Sequence, residues 1–161
     1  MTTASRGTLH KLALAGALIA ATAAPLALAL PAQAASNSGC TVNPRKPVHA
    51  GFNSSGVKLV RFNVSISCDP NRTVEVQQLR YEEDWGNWLF PDADDSLGSR
   101  TFTEAFPPNV GTITVGSTRT LPNTEDDNEE IYQKTRFRVT GGGVTSPWTS
   151  YQRTAYVSMP N

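Results

Sequence analysis

Between positions 60 and 68 the chain alternates without a break. Val60, Phe62, Val64, Ile66 and Cys68 fall on one side, and Arg61, Asn63, Ser65 and Ser67 on the other. Side chains that switch faces at every residue make such a pattern into one apolar and one polar face; a helix would spread it around its circumference. The segment therefore predicts a half-buried strand, and a half-buried strand needs a second apolar layer over it.

Other stretches repeat the theme, with prolines and glycines between them. Over 131–140, Thr135, Phe137 and Val139 point one way and Lys134, Arg136 and Arg138 the other, ahead of a turn at Gly141-Gly142-Gly143. Over 73–81 the parity breaks. Val74 and Val76 share one face but Leu79 and Tyr81 the opposite one, which predicts a bulge at Gln77-Gln78, since one extra residue flips the alternation. Weaker strands are expected at 40–42, 100–106, 112–115, 119–121 and 150–158. The expectation is an all-β fold, an antiparallel β-sandwich, immunoglobulin-like or related, of seven or eight short strands. A true immunoglobulin domain would carry a longer cysteine separation and a tryptophan within it; the interval 40–68 contains none.

Cys40 and Cys68 are the two cysteines, so one intramolecular pairing exists, with Cys68 on the apolar face of its strand. Closing that loop contributes about 3–4 kcal/mol in the chain-entropy account. A disulfide needs an oxidising compartment, and the first 34 residues read as a secretory signal. Arg6, His10 and Lys11 precede an alanine-rich apolar run over 12–30, and Ala32-Gln33-Ala34 offers a small-x-small cleavage site. Residues 1–34 are thus expected to be removed, leaving 35–161 as one secreted, extracellular domain. The run would just reach across a bilayer, but its proline and the cleavage pattern argue against an uncleaved anchor. Ser38-Gly39-Cys40 resembles the end of a lipobox, but Asn37 stands where an aliphatic residue belongs.

Beyond residue 34 there are 12 basic and 14 acidic residues, since Arg6 and Lys11 lie in the leader. The small negative net charge gives no grip on nucleic acid, and no later stretch is apolar enough to span lipid. His49 is the one histidine left after cleavage and no G-x-S-x-G occurs, so serine–histidine catalysis and zinc are disfavoured. His49 is expected in a solvated loop.

Two segments concentrate the acids. Residues 82–98 hold Glu82, Glu83, Asp84, Asp92, Asp94 and Asp95; residues 123–130 hold Glu125, Asp126, Asp127, Glu129 and Glu130. Both are expected to be loops. Hard cations take clustered oxygens, so Asp92, Asp94 and Asp95 are candidate calcium ligands if the two loops share one end of the sandwich; the favoured reading is a solvated acidic loop without cofactor. A carboxylate pair for hydrolysis is a further alternative. Trp85, Trp88 and Phe90 sit in the first acidic segment and Trp148 after the glycine turn. Flat aromatic faces bind at low entropic cost, so these four form the candidate binding surface of a non-enzymatic domain for an extracellular protein or glycan.

Overall fold

A computed structural model describes residues 34–83, 94–121 and 128–160. Among them are eleven strand segments and no helix: β1 (Ala35–Asn37), β2 (Cys40–Pro44), β3 (Val48–Phe52), β4 (Lys58–Cys68), β5 (Arg72–Glu82), β6 (Asp95–Phe106), β7 (Thr112–Leu121), β8 (Glu129–Gly141), β9 (Val144–Thr145), β10 (Gln152–Arg153) and β11 (Val157–Met159). Residues 1–33, all but the last residue of the expected signal, lie outside the described residues.

The segments form two antiparallel sheets packed as a sandwich. In the first, β4 is central, with β7 along one edge over its length. Along the other edge run β2, opposite residues 64–68, and then β3, opposite residues 58–61. The chain breaks step between them at Arg45-Lys46-Pro47, where proline withdraws a donor, and then continues along the same neighbour. In the second sheet β5 lies between β6 and β8, and β9, β10 and β11 follow one another along the far edge of β8. Counting β2 with β3 as one broken strand, and β9 to β11 as another, leaves eight strand paths, as the turn spacing predicts.

The alternation of β4 decides the core. Val60, Phe62, Val64 and Ile66 are fully enclosed and Cys68 nearly so. Each such side chain contributes about 1.5–3 kcal/mol by leaving water. Toward one end Val64, Ile66, Val74, Val76, Phe106, Phe137 and Val139 pack with the two cysteines; toward the other, Val60, Phe62, Leu121, Ile131 and Met159 form a smaller cluster.

Cys40 and Cys68 are bonded, with Cα atoms 4.0 Å apart. They sit directly opposite each other on β2 and β4, so the bridge joins neighbours within one sheet. Cys68 turns its N–H to Gly111 on the β7 side, which leaves the β2 side a non-hydrogen-bonded pair, where opposed residues approach most closely. A cross-strand disulfide in an all-β domain fits an extracellular, oxidising setting.

The last strand path is irregular, and side chains repair it. Ser146, Thr149 and Thr154 each offer a hydroxyl oxygen to a β8 amide, accepting from Val139, Phe137 and Gln133 at 3.0–3.1 Å. The expected strand over 150–158 is therefore two short pieces separated by Thr154–Tyr156, and the expected 112–115 and 119–121 are one strand, β7.

Three further expectations are corrected. No bulge occurs at Gln77-Gln78: β5 stays in register with β8 from Thr73 to Glu82, and the slip lies on β6, where Leu97 is extra and Gly98 takes φ +95°. The first acidic segment is not all loop, because Glu82 ends β5 and Asp95 to Gly98 open β6. His49 is in strand β3 and not a loop.

Candidate functional site

Because β5 does not bulge, its parity carries past Val76. Gln78, Arg80 and Glu82 turn inward and are buried, while Leu79 and Tyr81 turn outward. Uncompensated burial of such groups is costly, so each must find partners. Gln78 Nε2 donates to Gln133 Oε1 at 2.5 Å. Gln133 Nε2 reaches across to the other sheet, to the carbonyls of Arg45 (2.5 Å) and Asn63 (3.0 Å), the two residues at the break between β2 and β3. Arg80 Nε donates to the Gly98 carbonyl and its Nη1 to Ser117 Oγ, both at 3.2 Å. A polar row thus crosses the interior between the two apolar clusters. The unbroken period two from Val74 to Glu82 was the signal for it; the apolar character of Leu79 and Tyr81 masked that signal.

The outer face of the β5–β8 pair carries a ladder of cations and rings. Arg136 lies 5.0 Å from the Trp148 ring and 4.8 Å from Tyr151, and Arg138 lies 4.9 Å from Trp148. Arg138 pairs with Glu75 at 2.6 Å, and Gln77 Oε1 accepts from both Arg136 Nε and the Tyr151 hydroxyl. Further along, Tyr81 and Tyr132 stack at 5.3 Å, with Lys134 over both rings and Arg153 3.8 Å from Tyr132. Arg153 also pairs with Glu83. Half-buried Trp148 is thus sandwiched by arginines on the sheet face. Such contacts are attractive by about 0.5–2 kcal/mol each and hold the ladder rigid.

Of the candidate calcium ligands, Asp94 accepts the hydroxyl of buried Tyr132. Burial, that hydrogen bond and the Asp94 charge hold the phenol well above its usual pKa. Asp95 is exposed at the start of β6, opposite Glu82. Asp92, Trp85, Trp88, Phe90, Glu125, Asp126 and Asp127 lie outside the described residues. The strand ends flanking both acidic segments do converge, since Glu82 pairs with Ile131, and Ile131 packs with Leu121. Among the described residues no group of three or more metal-ligating side chains assembles. Glu82 and Glu129 sit inside the sandwich at this end, 2% and 1% exposed.

The two lateral openings of the sandwich differ. Between edges β6 and β7 stand Arg80, Arg100, Ser117 and Arg119. On the opposite side, β3 overhangs β11 and encloses a groove of about 390 Å³ lined by His49, Phe52, Lys58, Val157, Ser158, Met159 and Pro160. Phe52 is 61% and Val48 47% exposed, and the His49 ring meets Phe52 edge-on at 5.1 Å. Of these two, Phe52 lines the groove, and a large apolar side chain this open beside a groove marks a contact surface. On the β2–β4 side Arg45, Lys46 and Arg61 are exposed, and on the β8 side Glu130 and Glu129 stand opposite Ser158 and Met159 of the groove wall. Neither Val48 nor Phe52 is singled out by sequence, because the stretch around His49 reads as a solvated loop and not as the strand β3.

Fold and surface together define a disulfide-bridged antiparallel sandwich with a rigid cationic–aromatic face and an apolar lateral groove. No protein-family profile matches the chain, and no curated protein matches it.

Proposed function

We propose that this protein is exported through its N-terminal signal and acts outside the cell as a non-enzymatic binding domain. Its contact is the groove between β3 and β11, and its ligand is an acidic segment of a protein partner with an aromatic or aliphatic anchor. The observation that carries the reading is Phe52, an aromatic ring more than half open to solvent beside an apolar groove. Anchors of this type dominate binding energy when a partner desolvates them. The charge of the partner is inferred from the β2–β4 side of the groove, where Arg45, Lys46 and Arg61 are exposed.

The test uses labelled peptides of defined sequence, with a central phenylalanine or leucine flanked by aspartates, and the same peptides with lysines in place of the aspartates. Anisotropy is expected to report binding of the acidic set, weakened by salt. Phe52→Ala should lower affinity by about tenfold or more while leaving the melting temperature nearly unchanged, since an exposed side chain contributes little to folding. Binding that ignores Phe52→Ala, or binding of glycans on a defined array in place of peptides, refutes the reading.

A further inference from the structure

Three arginines face one another across the opening between β6 and β7, on the side of the sandwich opposite the groove. Arg80 comes from β5, fully buried, and is the largest enclosed side chain of the described residues. Arg100 comes from β6, two residues along from the bulge, and Arg119 from the exposed end of β7. Among the described residues none of the three forms an ion pair, and Glu104 is the acid that acts on Arg100. Ion pairs on the outer sheet face, Arg138–Glu75 and Arg153–Glu83, engage other arginines.

Hydrogen bonding leaves a specific deficit. Arg80 spends Nε on Gly98 O and Nη1 on Ser117 Oγ, with its guanidinium 6.0 Å from the Phe62 ring. Arg100 spends Nε on Gln78 Oε1 (2.7 Å) and Nη1 on Gly116 O (3.3 Å), with its guanidinium 4.3 Å from the Phe102 ring. In both residues Nη2 is buried and has no hydrogen-bond partner. Two orphaned cationic donors inside a cluster of like charge are a costly arrangement for a protein to hold empty. The strain shows electrostatically as well. Burial, then Arg119 and Arg100, bring the Arg80 guanidinium down from its ordinary pKa to about 10, and burial and Arg119 lower that of Arg100, with Glu104 opposing.

We infer that Arg80, Arg100 and Arg119, with the Ser117 hydroxyl, form a binding site for a small oxyanion held between the β6 and β7 edges. The two Nη2 groups supply donors to its oxygens, and guanidinium forks match the oxygen spacing of phosphate, sulfate or carboxylate. Arg119 is exposed, so entry is from solvent past its side chain. The site is separate from the groove and stands whether or not the groove binds peptides.

The experiment compares melting curves of the purified, disulfide-bonded protein as chloride is replaced at constant ionic strength by inorganic phosphate, sulfate or acetate. A saturable rise in melting temperature is expected with at least one of them. Phosphate or sulfate acting alone identifies a free tetrahedral oxyanion as the ligand; acetate acting as well extends it to carboxylates. Arg119→Ala, at an exposed position, should weaken the response by about tenfold or more, as loss of one charge-assisted contact implies. Arg80→Met, which keeps the bulk and removes the charge, should abolish it in a protein that is folded at least as stably without anion. A non-saturating rise of equal size in all three proteins would be general salting-out, and it overturns the inference, as does no difference from chloride.

Discussion

Gln133→Leu should destabilise the domain by about 3 kcal/mol, although leucine nearly matches glutamine in volume and the position is fully buried. The wild-type amide makes three side-chain bonds, to Arg45 O, Asn63 O and Gln78 Nε2. Asn63 O keeps a partner when Gln133 is lost, because it also accepts from Arg45 N at 2.9 Å. Arg45 O and one Gln78 donor are left stranded, at about 1–3 kcal/mol each. Added apolar burial returns about 1 kcal/mol. At roughly 2.1 cal/mol/K of unfolding entropy per residue over a domain of this size, the net loss is a fall of about 11 °C in melting temperature. Urea unfolding followed by far-ultraviolet circular dichroism measures the same quantity as a lower midpoint with unchanged slope. Gln133→Glu sharpens the test. An ionised carboxylate would face two carbonyls with no proton to give, whereas a protonated one restores one donor, so this variant should gain on wild type as pH falls from 7 toward 4.5. Should Gln133→Leu lie within 1 kcal/mol of wild type, or Gln133→Glu match it at pH 7, the stitching of the β2–β3 break by this side chain is wrong.

Replacing both Cys40 and Cys68 with alanine removes a loop closure, and the melting temperature should drop by about 13 °C, equivalent to about 3–4 kcal/mol; a drop under about 3 °C in calorimetry contradicts the ring-closure account. The Tyr132 phenol keeps its proton in the folded state at a pH where an unfolded tyrosine loses it. Its contribution to stability is therefore complete below about pH 10 and lost progressively above it, and Tyr132→Phe should flatten that alkaline decline in stability-versus-pH measurements. Gly39 and Gly56 both hold positive φ, but a Cβ at Gly39 would lie 2.3 Å from Asp69 Oδ2, while one at Gly56 meets nothing. Gly39→Ala should thus cost more than Gly56→Ala, and equal midpoints would mean that Asp69 simply moves aside.

The extent to which this molecule is legible in its sequence follows from how local each cause is. The alternation of Val60 to Cys68 and of Thr135 to Val139 could be read directly, because a side chain's face depends only on its own strand and an apolar face must be covered. The cysteine pair was equally determined, since two thiols in an oxidising space have one way to join. The second half of β5 was not. Whether Gln78 and Arg80 or Leu79 and Tyr81 face inward turns on Gln133, Arg45, Gly98 and Ser117. These residues lie 18 to 88 positions from their bonding partners and supply the hydrogen bonds that make polar burial tolerable. The same distance hid both lateral sites. Phe52 joins Val157 to Pro160 at one groove because β3 and β11 lie at the same side of the two sheets, and the arginines meet because two edge strands from different sheets come side by side.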